Sequence, residues 1–202
     1  MSTASMGDSY MADKKERNQA NIYKIMWGIC RQMEILQSTD RYDVDALLYS
    51  LSYQMKQLNY FYKDLIDKQG SNDANKTYYN LRPAPSEHQL VYVSLCRGFP
   101  KELYDGHWCY LLKNCGTKFL VIPVTSIKET SPTENQSYYY DIVEEDDSIA
   151  RLRFDEMRTV DKMRVITKDK PYRNVKTERA IIENKLMNYL NLSIFSIDSK
   201  DE

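Results

Sequence analysis

From Arg153 to Val165 the chain reads Arg-Phe-Asp-Glu-Met-Arg-Thr-Val-Asp-Lys-Met-Arg-Val. Charged and apolar residues interleave there and do not sort onto one helical face. Short strands accommodate such a pattern, because successive side chains of a strand point to opposite sides. Similar stretches recur upstream. Leu90–Leu95, Trp108–Lys113, Lys118–Pro123, Tyr138–Val143, Ser148–Phe154 and Arg158–Thr167 all read as strands, with Asn114-Cys115-Gly116-Thr117 as a hairpin turn. Several short strands at close spacing predict a small barrel or sandwich. Thr177 to about Phe195 follows as a closing helix, with Ile181, Ile182, Leu186, Tyr189 and Leu190 on its apolar side.

The N-terminal part has a different texture. Ile22, Ile25, Met26, Ile29, Met33 and Leu36 recur every three or four residues, and so do Val44, Leu47, Leu48, Leu51, Met55, Leu58, Tyr62 and Leu65. Ser38-Thr39-Asp40 breaks the pattern with capping residues. A short break between two amphipathic helices predicts an antiparallel hairpin over 18–68. Such a hairpin cannot bury its apolar stripe alone. Residues 69–87 read as a linker, turn-rich at Gly70-Ser71-Asn72-Asp73 and stiffened at Arg82-Pro83-Ala84-Pro85. Residues 1–17 read as a disordered N-terminus, polar and without the apolar core of a signal peptide. The expected layout is therefore 1–17, a hairpin at 18–68, a linker at 69–87 and a β domain at 88–196.

Composition narrows the partners. The 202 residues carry a net charge of −1, so any nucleic-acid site is a local basic patch rather than a global field. Seventeen tyrosines against five phenylalanines suit half-buried surfaces with wet hydroxyls. Cys30, Cys96, Cys109 and Cys115 form no Cys-x-x-Cys pair, and neither His88 nor His107 completes a zinc spacing. No metal and no cofactor is expected, and the thiols are expected to be reduced in a cytoplasm. No apolar run approaches the roughly 20 residues that span a bilayer.

The order of strand, polar loop, Gly106-His107, hairpin, Pro123-Val124-Thr125-Ser126 and Met157-Arg158-Thr159-Val160-Asp161-Lys162-Met163-Arg164-Val165 resembles the PemK/MazF toxin endoribonucleases. The last segment is similar to that family's Arg-Thr-Ile-Asp-Lys-x-Arg-Leu signature. The resemblance covers roughly residues 88–192. It implies an α+β chain, with a small SH3-like antiparallel β-barrel and a C-terminal helix following the helical hairpin. It also implies a homodimer, an antitoxin partner, and metal-independent cleavage of single-stranded RNA by its own 2′-hydroxyl. Thr125 or Ser126 matches the family's hydroxyl at the strand end. The family's Arg after the loop is replaced by Trp108, and its Pro by Cys109. His107 is then the replacement acid–base, because an imidazole near pKa 6.5 serves either role. Arg97, early in the loop, is the other replacement cation. Arg158, Lys162, Arg164, Trp108 and Tyr139 are expected to touch RNA or an interface.

Each residue also has a plainer reading. His107 beside a Trp can be structural, Thr125 and Ser126 can end a strand, and Arg158, Asp161, Lys162 and Arg164 can form surface ion pairs. Tyr138-Tyr139-Tyr140 can pack inward, the cysteines can be apolar filler, and Glu144-Glu145-Asp146-Asp147 reads as a solvated loop. The alternative function is accordingly a catalytically inactive barrel that binds nucleic acid or protein.

Overall fold

The computed structural model describes residues 4–128, 131 and 136–192, with the backbone alone for residues 4–17. The chain divides into two compact units, Met1–Tyr49 and Ser50–Glu202.

The first unit holds helix α1, Ala4–Ser38, and the start of helix α2, Val44–Asn59. A helix thus occupies most of the stretch 1–17 expected to lack order. The Ser38 and Thr39 hydroxyls donate back to the Ile35 and Leu36 carbonyls at 2.7 and 2.6 Å, and Asp40 takes a left-handed φ of 52°. These bonds satisfy helix-end carbonyls and stop α1. The Asp43 carboxylate accepts from the Ala46 amide at 2.9 Å and so caps α2.

The second unit begins inside α2. Its helical path continues through a π-helical stretch, Tyr60–Leu65, into the short helix α3, Ile66–Gln69, and ends at Gly70 with φ 63°. Gln57 donates to the Met163 carbonyl at 2.7 Å, which ties α2 to the loop before the last strand of this unit. Residues 70–88 hold neither helix nor strand, yet Leu81 among them is buried.

Among the described residues seven strands follow: β1 Gln89–Ser94, β2 Gly106–Asn114, β3 Lys118–Ser126, β4 Tyr139–Val143, β5 Ile149–Arg153, β6 Arg158–Asp161 and β7 Arg173–Asn174. They form one antiparallel sheet in the order β4-β5-β3-β2-β1-β7, with β6 also on β3. The architecture is mixed α+β, closed by helix α4, Arg179–Tyr189. The closing helix expected to run to Phe195 is shorter, and residues 193–195 lie outside the described residues.

Strand β3 organises the sheet. Its first half pairs with β6 (Lys118–Val121) and its last three residues with β5 (Val124–Ser126). One face packs Leu90, Tyr110, Ile122, Leu152 and Phe154 under Ile182 and Leu186 of α4. The other packs Val91, Val93, Cys109, Phe119, Val121 and Val160 with Leu81. The expected strand Arg158–Thr167 ends early, at Asp161. There the carboxylate accepts from the Met163 amide at 2.8 Å and starts a 3-10 turn over Lys162–Arg164.

Candidate functional site

Strands β2 and β3 are paired from Asn114–Phe119 as far as Cys109–Pro123. Beyond that pair they part. Gly106 to Trp108 stay with β1, while Val124 to Ser126 pair with β5. The residues of both parted ends line one groove of about 650 Å³, together with β4, β5, Lys128 and Arg173. Splayed strand ends leave a concave surface with backbone and side-chain polar groups turned into it.

Register decides which side chains share a face. His107 is opposite Val93 of β1, and Thr125 is directly opposite Arg151 of β5. His107, Thr125 and Arg151 all line the groove, Thr125 and Arg151 as a direct cross-strand pair. Trp108 belongs to the opposite face, packed against the α4-covered core. The Thr125 and Ser126 hydroxyls make no hydrogen bond among the described residues.

Positive charge comes from residues that the sequence did not single out. Arg151 is buried and grips Asp141 through Nε at 2.6 Å and Nη2 at 2.8 Å. Arg153 holds Asp155 in the same bidentate way, at 3.0 and 2.7 Å. Both guanidinium groups lie over Tyr139, 5.2 and 5.0 Å from the ring centre. Arg173 sits 3.9 Å over the Trp108 ring and pairs with Glu144 at 3.2 Å. Arg173 thus brings a cation into the groove from β7, stacked on Trp108. Its partner Glu144 is buried. The expected solvated loop at Glu144–Asp147 is corrected at that residue, because the Arg173 charge compensates its burial. Two-residue β7 carries too little pattern to be read as a strand, so only the stacking partner could have flagged Arg173.

The His107 imidazole is half-buried, and burial holds it below the ordinary histidine value. The Tyr104 backbone and the charges of Asp105 and Glu156 oppose that shift without cancelling it. Burial thus favours the neutral imidazole, whose Nδ1 is buried without a hydrogen-bond partner.

His107, Trp108, Thr125, Ser126 and Tyr139 all line the groove, whereas Arg97, Arg158, Lys162 and Arg164 do not. Arg97 pairs with Asp105 at 3.0 Å and stacks on Tyr104. Arg158 pairs with the buried Glu156, which also accepts from the Leu103 amide at 3.1 Å. Lys162 lies 4.9 Å over Phe119, and Arg164 reaches the Cys96 sulfur at 2.6 Å. These cations organise the sheet and its loops. Among the described residues no three His, Cys, Asp or Glu side chains converge as a metal site, and no helix is long and apolar enough to cross a membrane.

No family model matches the chain, and no curated protein matches it. Among solved structures, a chain of an "Endoribonuclease in complex with its cognate antitoxin from Mycobacterial species" is similar over 55% of this chain and 98% of its own. The identity is 15% and the TM-score 0.41. A likeness at that score carries no more than the similarity itself.

Proposed function

We propose that the groove between the parted ends of β2 and β3 is the active site of a metal-independent endoribonuclease. The observation that supports this most directly is one groove lined by His107, Thr125, Ser126, Arg151, Arg153 and Arg173. Cleavage of RNA by its own 2′-hydroxyl needs a base, a donor to the phosphorane oxygens and positive charge. Neutral His107 takes the 2′-hydroxyl proton. The Thr125 and Ser126 hydroxyls donate to the non-bridging oxygens. Arg151, Arg153 and Arg173 balance the charge that builds on the phosphorane and on the departing 5′-oxygen. As the P–O5′ bond breaks, the 5′-oxygen takes a proton from solvent water, so the products are a 2′,3′-cyclic phosphate and a 5′-hydroxyl. The stacked pairs of Arg173 on Trp108 and Arg153 on Tyr139 offer planar cationic surfaces to unstacked bases, which favours a single strand as the substrate.

In this reading residues 88–196 form an SH3-like barrel of the PemK/MazF toxin type, preceded by the 69–87 linker and the 18–68 hairpin. The protein works in the cytoplasm as a homodimer and is silenced by an antitoxin that occupies the groove. A second reading is favoured by one observation: Arg151, Arg153 and Arg173 are all ion-paired in the free protein. There the same groove binds without cutting.

The test is incubation of the purified chain with mixed-sequence single-stranded RNA in EDTA. The expected result is cutting with 5′-hydroxyl ends, reduced on the order of a hundredfold or more by His107→Ala and by Thr125→Ala. No cutting at micromolar protein, with RNA still bound, would leave the binding reading standing and overturn the enzyme.

A further inference from the structure

Helix α1 displays an apolar stripe that its own unit does not cover. Ile22, Ile25, Met26 and Ile29 are 57%, 55%, 55% and 43% exposed, and Leu36 is 38% exposed. At about 100° per residue these side chains, with Met33, fall within about 60° of Ile29. The charged residues of this segment, Lys24, Arg31 and Glu34, fall on the opposite side.

The stripe reads nearly the same in reverse. A reversed copy centred on Ile29 sets Ile22 against Leu36, Ile25 against Met33 and Ile29 against itself. Asn21 then meets Gln37, and Gly28 meets Cys30. No charge stands at the seam to repel a second copy or to select a foreign helix. The exposed parts of the stripe amount to roughly 500 Å² per copy, so a pair buries about 1,000 Å², the size at which a protein–protein contact becomes specific.

We propose that α1 pairs antiparallel with α1 of a second copy of this chain, about a two-fold axis at Ile29. The pairing is independent of the nuclease reading, because none of its residues lines the groove.

Single-cysteine scanning of the full chain tests it, in a background with the exposed Cys30 and Cys115 changed to Ser. With a short bismaleimide, Ile29→Cys should link to itself into a dimer. Ile22→Cys should not, since its two copies lie about 21 Å apart along the axis. Mixed Ile22→Cys and Leu36→Cys proteins should link to each other. Absence of the Ile29→Cys dimer overturns the proposal, and so does equal self-linking at positions 22 and 29, which marks a parallel pair. Should Ile29→Cys fail to fold, sedimentation replaces it. The unaltered chain must be dimeric, and Ile25→Asp must weaken the dimer at least tenfold. A monomeric parent chain or an unweakened Ile25→Asp dimer overturns it as well.

Discussion

His88 and His107 are both held below the ordinary histidine value, and burial is the first cause in each. His88 sits against Tyr110, with Nδ1 2.9 Å from the phenol oxygen. Their lowered values set the direction of a pH effect. Below about pH 6.5 the unfolded chain protonates both rings while the folded chain resists. The unfolded state then binds more protons, so stability is full above that pH and declines as pH falls toward the lowered values. Urea midpoints between pH 7.5 and 5.5 should fall, and His107→Asn should flatten the decline. An unchanged slope in that variant would remove the burial account of His107. The same ring illustrates what single residues disclose. His107, Thr125 and Tyr139 stood out in the sequence because type and order pointed to them. Arg151, Arg153 and Arg173 did not, because an arginine's partner decides whether it faces a groove or a carboxylate, and partners lie in other strands.

Elements were easier to read than sites. Periods of three to four and of two follow from backbone geometry, so α1, α2 and six strands fell close to their expected positions. The sixth strand is shorter than expected because local hydrogen bonding overrides the period, while α1 begins at Ala4 rather than near residue 18. Asp161 capping Met163 cut the strand expected over Arg158–Thr167. The interleaved charges of 153–165 resolve into short-range pairs, Arg153 with Asp155 and Arg158 with Glu156, around a 3-10 turn at Phe154–Glu156. The π-helical stretch at Tyr60–Leu65 has no signature that distinguishes it from α-helix in sequence. Helix α4 makes a sharp case at this scale, since within α4 itself only Ile182 and Leu186 are buried. Truncating the fully buried Ile182 to Ala should cost about 3 kcal/mol, the range for a large aliphatic side chain leaving a cavity. Ile181→Ala, at a side chain 42% exposed, should cost under about 1 kcal/mol. Urea denaturation of the two variants checks the contrast, and equal losses would contradict the docking of α4 by that face.

For the whole molecule, the net charge of −1 means that no long-range field draws RNA in. In the proposed function, affinity for RNA arises where Lys128, Arg151, Arg153 and Arg173 line the groove. Three of these four cations already hold carboxylates: Asp141, Asp155 and Glu144. A phosphate gains from them only by exchanging for a carboxylate or by sharing it, so the release of counterions is smaller than the number of cations suggests. Each fully engaged cation contributes a slope of about −0.7 in log K against log salt for a single strand. Four would give about −3, and Lys128 alone about −0.7. The expected slope for a short single-stranded RNA in EDTA, read by fluorescence anisotropy, lies between these limits. Arg173→Gln should make it shallower, and it should also free the Trp108 ring and leave Glu144 buried without its partner. The loss in affinity should therefore exceed what one phosphate contact accounts for. A slope near zero, or one unaffected by Arg173→Gln, would mean that the strand does not enter the groove and that the cations there serve the carboxylates alone.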